Sequence, residues 1–353
     1  MRSHSILLSV SIQALSSRAS AAQAHHSPVA PARAPIPAYT ILDLSIGSPF
    51  PDAFAYGVSQ NGKITGVGTD PSTNELHAFI YQAGAFNDLG DLGYPYGADG
   101  IAINDNGQVM GTGYGPGYRA VRYTNGNVIH IGPLYSEGFS MNSLGDIVGR
   151  FRNDDGNSQG FSYINGQFTQ IPLATNVYMV RSINDSDQFV GSLGYYWSYG
   201  GYIHSAGHAF IDSGGVITEL GSIGGGVRTY TEAFGVNNAG EVTGYSTAAD
   251  GTQHAFLYSA GVINDLGTIA PFYTCGVSIN DSSVVAGNIT TYVGGQVGVF
   301  VYSNGSMRNL TDFLGAAGAN WSQLLACQMN NEGWIVGYGT INGATHGFLA
   351  QPR

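Results

Sequence analysis

The stretch Gly235-Val-Asn-Asn-Ala-Gly-Glu-Val-Thr-Gly244 decides the fold, because looser copies of it recur from Tyr56 to the C-terminus. The fullest copy continues with Gln253-His-Ala-Phe-Leu-Tyr258 and Val262-Ile-Asn-Asp-Leu-Gly267. A glycine closes the second segment of every copy, and successive glycines stand 38 to 53 residues apart: Gly66, Gly111, Gly149, Gly191, Gly244, Gly287 and Gly337. A period of that length is typical of one four-stranded blade of a β-propeller.

Each copy reads as four short strands separated by turn residues. The first strand ends in an apolar residue followed by Asn, as in Ile103-Asn104, and only the first copy departs, with Val58-Ser59. β-branched and aromatic residues in short runs bounded by Gly, Asn, Asp and Ser indicate strands. No copy shows an apolar period of 3.6 residues with helix caps, so the pattern predicts an all-β fold.

The two ends of the chain predict a closed ring. The seventh copy stops at His346-Gly-Phe-Leu349 without a fourth strand, whereas Tyr39-Thr-Ile-Leu-Asp-Leu44 matches a fourth strand that lacks the first three. Pairing the two segments would leave no open sheet edge between first and last blade. We therefore predict a seven-bladed β-propeller, four strands per blade, whose last blade is closed by the N-terminal strand.

The N-terminal region predicts export. Residues 1–24 have the pattern of a signal peptide, with Arg2, the apolar run Ile6-Leu-Leu-Ser-Val10 and the small-residue site Ala22-Gln-Ala24. Residues 25–37 are rich in Pro and Ala and indicate a linker, which leaves 38–353 as one propeller domain. We expect a secreted, periplasmic or cell-surface protein without a membrane span.

The charge balance argues against nucleic acid as a partner. The chain has 12 basic and 23 acidic side chains, and Lys63 is its only lysine. Without a basic stripe, nucleic-acid binding is not expected. We further expect a monomer that carries no cofactor.

Cys275 and Cys327 leave two interpretations open. Both precede the apolar-Asn pair of neighbouring copies, and an exported protein favours a disulfide between them. Two buried thiols are the other interpretation, because sequence does not supply the Cα separation that a disulfide requires.

The His-Ala-Phe tripeptides at 77–79, 208–210 and 254–256 give the chain a family resemblance. With the apolar-Asn pair, the turn glycine and Asp-Leu-Gly, they resemble the HAF family of bacterial extracellular repeats over nearly everything from Tyr39 onward. The resemblance implies a secreted or surface β-repeat protein of unassigned biochemistry. Arg119-Ala-Val121, Gln159-Gly-Phe161 and Gly298-Val-Phe300 depart from the tripeptide.

The repeated histidines are not expected to bind a metal. His77, His208, His254 and His346 hold one repeat position, so they belong to four different blades. Ligands of one ion must converge within about 2.3 Å of it. We expect these side chains to make structural hydrogen bonds within or between blades.

Candidate functional residues are those that differ between copies. They are expected on the face formed by the loops into the first strands and the loops between second and third strands, because shared positions serve the scaffold. The candidate catalytic residues are Asp99, Glu137, Glu232 and Arg181. The candidate ligand-binding residues are Tyr178, Tyr195, Tyr196, Trp197, Tyr199, Arg228, Tyr230 and Trp321, of which Tyr195–Tyr199 are interpreted as a loop insertion.

Three functions remain open from the residues. Aromatic faces beside carboxylates and Arg favour a module that binds a glycan or a surface partner. Paired carboxylates would also suit a glycoside hydrolase, and a Tyr–Arg pair a polysaccharide lyase, so the sequence does not decide whether the protein is an enzyme. The third possibility is a purely structural surface protein.

Overall fold

The computed structural model describes residues 36–172, 177–199, 202–225 and 229–353, with the backbone alone for 177–178, 195–199 and 202–206. The predicted signal peptide and residues 25–35 of the predicted linker lie outside these ranges. Within them, no helix has the length and apolar character needed to cross a membrane.

Seven antiparallel sheets of four strands make up the fold. We number the sheets as blades in chain order. Blade 1 comprises β2 (Phe54–Val58), β3 (Ile64–Thr69), β4 (Leu76–Gln82) and β5 (Ala85–Gly90); blade 2 comprises β6 (Ala102–Ile103), β7 (Val109–Gly113), β8 (Arg119–Thr124) and β9 (Asn127–His130); blade 3 comprises β10 (Ser136–Met141), β11 (Ile147–Arg152), β12 (Ser158–Ile164) and β13 (Gln167–Gln170).

Blades 4 to 7 repeat this order. Blade 4 comprises β14 (Val177–Ile183), β15 (Phe189–Tyr199), β16 (Tyr202–Ser213) and β17 (Val216–Glu219); blade 5 comprises β18 (Thr231–Val236), β19 (Val242–Thr247), β20 (Gln253–Ser259) and β21 (Val262–Gly267); blade 6 comprises β22 (Tyr273–Ile279), β23 (Val285–Thr290), β24 (Gln296–Ser303) and β25 (Ser306–Asn309); blade 7 comprises β26 (Trp321–Met329), β27 (Ile335–Ile341), β28 (Ala344–Pro352) and β1 (Tyr39–Asp43). Two 3₁₀ turns, Leu310–Phe313 and Gly315–Gly318, join blades 6 and 7.

The ring closes as the sequence predicts. The first strands of neighbouring blades contact one another, and β26 of blade 7 contacts β2 of blade 1. The N-terminal strand β1 pairs antiparallel with β28, from Tyr39 opposite Pro352 to Asp43 opposite Phe348. The structure therefore confirms a seven-bladed β-propeller with its last blade built from both ends of the chain.

The propeller has two different ends. We call one end the turn face, because the hairpin turns after the first and third strands lie there. The other end, the loop face, carries the loops into the first strands and the loops between second and third strands. Both follow from the antiparallel order of the strands within each blade.

The Asn that ends each first strand organises its own turn and also bonds to the next blade. The Oδ1 atom of Asn237 accepts hydrogen bonds from the backbone N–H groups of Ala239 and Glu241, at 3.1 and 2.9 Å. Its Nδ2 atom donates to the carbonyl oxygen of Asn280 in the next blade at 3.0 Å. The same interblade bond starts from the repeated Asn in blades 2, 3, 4 and 7: Asn104, Asn142, Asn184 and Asn330.

Blade 1 has Ser59 at this position and reaches its neighbour by other means. The Ser59 hydroxyl accepts the N–H of Lys63 at 3.0 Å but is too short to cross to blade 2. Instead the Asn61 side chain and the Lys63 ammonium donate to the carbonyl oxygen of Asp105, at 3.1 and 2.7 Å. The single lysine of the chain thus sits where the repeat lacks its Asn.

The repeated glycine of the second strand is required by a bulge in the first. A Cβ added at Gly244 would lie 1.8 Å from the carbonyl oxygen of Glu232, and one at Gly287 would lie 2.3 Å from that of Cys275. The register of the first two strands shifts beside this point, so that Phe234 is the extra, bulged residue in blade 5. Bulges re-aim side chains, and here each bulged residue points into the channel.

The repeated histidines pair with the fourth strand, as expected. His77 contacts Asp88 at 3.0 Å, and the same pair recurs as His208–Glu219, His254–Asp265 and, across the ring closure, His346–Asp43. In blades 2 and 3 both partners differ together, as Arg119–His130 and as Gln159–Gln170. Within the described ranges, no three His, Cys, Asp or Glu side chains are grouped so as to hold a metal ion.

The core lies in layers between adjacent blades. The third-strand aromatic of each blade is fully buried, with Val121 in its place in blade 2: Phe79, Phe161, Phe210, Phe256, Phe300 and Phe348. One layer joins Met110 of blade 2 to Ile147 and Phe161 of blade 3. Because each apolar face is covered by the next blade, closure of the ring buries all of them.

Asn237→Ala should destabilise the whole ring. The substitution removes the acceptor of two turn N–H groups at a site where Asn237 is 3% exposed. It also removes one of the two donors to the Asn280 carbonyl, which keeps the N–H of Ser283. An unsatisfied buried group costs about 1–3 kcal/mol. Ala239 is exposed and its N–H can bond to water, so we expect a loss of about 2 kcal/mol in the free energy of unfolding. Urea denaturation measures it, with Asn264→Ala on the exposed strand β21 as the control; a loss below about 0.5 kcal/mol would contradict this role.

Candidate functional site

The channel is lined by the bulged residues, which form a ring of seven side chains. Each lies three positions before the repeated Asn, or before Ser59 in blade 1, and all of them line one cavity. We call this set the inner ring: Tyr56, Ile101, Phe139, Arg181, Phe234, Val277 and Cys327. Two positions earlier in the chain stands a second ring that contains the three candidate carboxylates: Phe54, Asp99, Glu137, Met179, Glu232, Cys275 and Leu325.

The cavity opens at the turn face, opposite to the face the sequence indicated. Its volume is about 560 Å³, and the repeated Asn turns form its mouth. The mouth is tied together by side chains of successive turns: the N–H of Asp185 donates to Asn238, that of Asn238 to Asp281, and that of Asp281 to Asn331, at 2.9 to 3.0 Å. The mouth is therefore a hydrogen-bonded rim whose polar groups largely bond to each other.

Arg181, a candidate catalytic residue, is held between two aromatic rings of the inner ring. Its guanidinium carbon lies 5.2 Å from the centroid of the Phe139 ring and 5.1 Å from that of Phe234. Such contacts contribute about 0.5–2 kcal/mol each, depending on how far they are removed from water. The arrangement joins blades 3, 4 and 5 across the channel.

Asp99 is buried and fully engaged. Its Oδ1 atom accepts the N–H of Thr112 at 2.7 Å, and its Oδ2 atom accepts the Tyr114 hydroxyl at 2.6 Å. Burial raises the pKa of Asp99 to about 6, although these two hydrogen bonds lower it, and the nearby charge of Glu137 raises it. The same burial, together with Asp99, raises the pKa of Tyr114.

The other two carboxylates lie in different surroundings. Glu137 pairs with Arg150 across strands β10 and β11, with 2.6 Å between Oε2 and Nε. Glu232 and Arg181 both act on Cys275: burial first and then the charge of Glu232 raise the pKa of Cys275 to about 12, against a lowering by Arg181. The charge of Glu137 thus acts on Asp99, and the charges of Glu232 and Arg181 both act on Cys275. Within the described chain, none of the three carboxylates lines the cavity.

The structure corrects the predicted loop position of Trp321 and the predicted loop at Tyr195–Tyr199. Trp321 is 7% exposed and packs edge-on against Phe348 at 5.9 Å, so it is a core residue of blade 7. It reads as a loop residue because it follows the 3₁₀ turns, which instead fold back onto the blade. Tyr195–Tyr199 do not form a loop: they extend β15, which pairs with β16 up to Tyr199 opposite Tyr202.

Several predicted residues cannot be placed. The side chains of Tyr178, Tyr195, Tyr196, Trp197 and Tyr199, and the whole of Arg228, lie outside the described part of the chain. The remaining candidate, Tyr230, lies against Gly207 at the start of blade 5. Cys275 and Cys327 are both free thiols, so the disulfide that the sequence left open is not formed.

An aromatic cluster on the loop face is built from three adjacent loops of blades 1 to 3. We call it the Tyr cluster: Tyr96, Tyr118, Leu134 and Tyr135. Backbone hydrogen bonds connect the loops, from the N–H of Tyr96 to Tyr114 at 3.1 Å and from that of Tyr135 to Tyr118 at 2.7 Å. Tyr96 is 62% exposed, Leu134 52% and Tyr135 45%.

Tyr135 is held in a conformation that bulky residues avoid. Its φ is +63°, in the left-handed region that costs a non-glycine residue about 1 kcal/mol or more. Its ring meets that of Tyr118 edge-on, with 5.6 Å between centroids, and the N–H of Arg152 donates to its carbonyl at 3.1 Å. An exposed aromatic ring is therefore kept at the surface at a cost in backbone energy, a feature that clusters at binding sites.

No protein-family model and no curated protein matches the chain. Among solved structures, it is similar to the β-propeller domain of the Trilobed protease from Pyrococcus furiosus, with 12% identity, a TM-score of 0.54, and coverage of 76% of this chain and 83% of that one. It is also similar to Pyrococcus horikoshii acylaminoacyl peptidase, with 11% identity, a TM-score of 0.56, and coverage of 84% of this chain and 51% of that one. A Mycobacterium tuberculosis puromycin-hydrolyzing peptidase is similar with 11% identity, a TM-score of 0.53, and coverage of 89% of this chain and 56% of that one. The chain spans about half the length of the two peptidases. These similarities show the propeller fold alone.

Asp99→Asn should change how stability depends on pH. Because the pKa of Asp99 is raised from 3.8 to about 6, the folded state binds more protons than the unfolded state between those values. The stability from Asp99 is therefore fully present below pH 3.8 and lost as the pH rises through 6. The free energy of unfolding of Asp99→Asn, measured relative to that of wild type, should therefore rise by about 2–3 kcal/mol from pH 4 to pH 7. Urea denaturation at several pH values measures this; parallel profiles would contradict the raised pKa.

Proposed function

We propose that the protein is an exported, non-enzymatic propeller that binds a glycan or another surface partner through its loop face. The observation that carries this proposal is the Tyr cluster. Exposed aromatic rings stack on the apolar faces of sugars, and such contacts need rings that are presented rather than packed away. The rings of Tyr96 and Tyr135, together with Leu134, meet this requirement, and the half-buried Tyr118 supports the ring of Tyr135 from below.

Charged groups border the Tyr cluster and suit the same role. Arg152 is exposed at the end of β11, directly beside Tyr135, and Asp154 and Asp155 follow in the next loop. A guanidinium fork and carboxylates hold hydroxyl or carboxylate groups of a saccharide by charge-assisted hydrogen bonds. The aromatic and charged groups together favour a saccharide over a wholly apolar partner.

The contacts of the candidate carboxylates favour binding over glycoside hydrolysis. A hydrolase needs two carboxyl groups that face one substrate across a gap of about 5–10 Å. Asp99 instead accepts hydrogen bonds on both oxygens inside the protein, and Glu137 is paired with Arg150. The carboxylates of Asp99 and Glu137 therefore make structural contacts within blades 2 and 3.

Tyr96→Ala and Tyr135→Ala should weaken binding without unfolding the protein. Each aromatic contact contributes about 0.5–1.5 kcal/mol, so the double variant should lose about tenfold or more in affinity. A glycan array identifies the ligand and titration calorimetry gives the affinity. The control is Tyr292→Ala, which removes an 82% exposed tyrosine in blade 6 and should bind like wild type. Equal affinity of the double variant and wild type would contradict the proposed site, and no binding on the array would favour a structural role.

Export rests on residues 1–24 and has its own test. If the segment is a signal peptide, the secreted or periplasmic protein should begin at His25, after Ala22-Gln-Ala24. Mass spectrometry of the mature chain measures its N-terminus. A protein that keeps Met1 and stays in the cytoplasm would contradict export and would leave the Tyr cluster without a surface partner.

A further inference from the structure

A second cleft lies on the turn face, between the outer parts of blades 1 and 2. Its volume is about 410 Å³. Its lining combines the only lysine of the chain, four side-chain amides and two aromatic rings, and no carboxylate is among the lining residues: Lys63, Ile80, Gln82, Ala85, Phe86, Asn87, Asn106, Gly107, Tyr123 and Asn125. The chain has a formal charge of −11, so a cleft lined by one positive and no negative side chain is unusual in it.

The next blade interface shows what leaves this cleft open. There Arg122 lies over the ring of Tyr163, 5.6 Å from its centroid, and donates to the carbonyl of Gly145 at 2.8 Å. The equivalents of Tyr163 and Gly145 one blade earlier are Tyr123 and Gly107, which both line the cleft. The equivalent of Arg122 is Ile80, which has no polar group to span the gap. The space that a guanidinium fills between blades 2 and 3 is therefore free between blades 1 and 2.

Lys63 brings an unneutralised charge to this space. Its ammonium donates one hydrogen bond, to the carbonyl of Asp105 at 2.7 Å, which leaves two of its three donors. Within the described residues it forms no ion pair with a carboxylate. The equivalent residues of blades 2 and 4 are the neutral Gln108 and Gln188, so the charge is not needed for the turn itself.

We propose that this cleft binds an acidic saccharide, a sugar unit that carries a carboxylate. Lys63 would pair with the carboxylate, and the amides of Gln82, Asn87 and Asn106 would exchange hydrogen bonds with the hydroxyls. The ring of Tyr123 would supply the stacking surface that its counterpart Tyr163 offers to Arg122. The site is at the opposite end of the propeller from the Tyr cluster and does not depend on it.

The test is titration calorimetry of the full chain with digalacturonic acid and with its neutral counterpart, galactobiose. Wild type should prefer the acid by about fivefold, the effect of one partly exposed ion pair. Lys63→Gln should abolish the preference, and Lys63→Arg should keep it. Because Gln occupies this position in blades 2 and 4, Lys63→Gln is expected to fold, which its melting temperature checks.

Matched variants separate this site from the other one. Asn87→Ala should weaken binding of the acid about threefold to tenfold, whereas Asn264→Ala, at the same strand position in blade 5, should leave it unchanged. The Tyr96→Ala, Tyr135→Ala double variant should bind the acid like wild type, so failure of the loop-face proposal would be seen separately. Absence of binding, equal affinity for the two sugars, or an unchanged preference in Lys63→Gln would each overturn the proposal.

Discussion

The side-chain amide of the repeated Asn is the interaction on which the rest of the ring depends. In Asn237, Oδ1 accepts hydrogen bonds from N–H groups of the turn in its own blade, and Nδ2 donates to a backbone carbonyl of the next blade. Buried polar groups must be hydrogen-bonded, so a blade whose neighbour is missing would leave this amide unpaired. The requirement ties blades 2, 3, 4, 5 and 7 to the next blade, and Asn61 and Lys63 do so for blade 1. Strand β1 on β28 completes the last blade with a His–Asp pair like those of blades 1 and 5.

Where blades 1, 2 and 3 lose a residue of the repeat, other side chains make a contact in its place. In blade 1, Asn61 and Lys63 offset Ser59 by donating to a backbone carbonyl of blade 2. Arg119 replaces a His, and its partner is His130 where blades 1, 4, 5 and 7 have an acid. In blades 1, 2 and 3 a different pair of residues therefore replaces the lost contact. The change in blade 1 also introduces a positive charge that no other blade has at this position.

The sequence predicts the repeated features well, because every copy must meet the same constraints. Blade number, strand order, ring closure and the structural role of the histidines follow from the shared residues and are confirmed. The candidate site is harder to predict from the sequence, because it depends on side chains that only the fold brings together. Nothing in the sequence marks the bulge that turns Phe139, Arg181 and Phe234 into the channel, or the cleft left by Ile80. The prediction that Trp321 binds a ligand was wrong for a related reason. A large aromatic residue at the start of a strand is buried or exposed according to how the preceding turns fold.

Native-state hydrogen exchange tests the central claim, that the interblade bonds of the repeated Asn help to join the blades into one cooperative ring. The amide protons to follow are those that donate to the Asn side chains, such as the N–H groups of Gln188, Glu241 and Trp334. If the ring opens only as a whole, these protons should exchange with one common free energy, equal to that of global unfolding. Free energies that differ from blade to blade would show that the blades open independently, as in a linear array, and would contradict the claim.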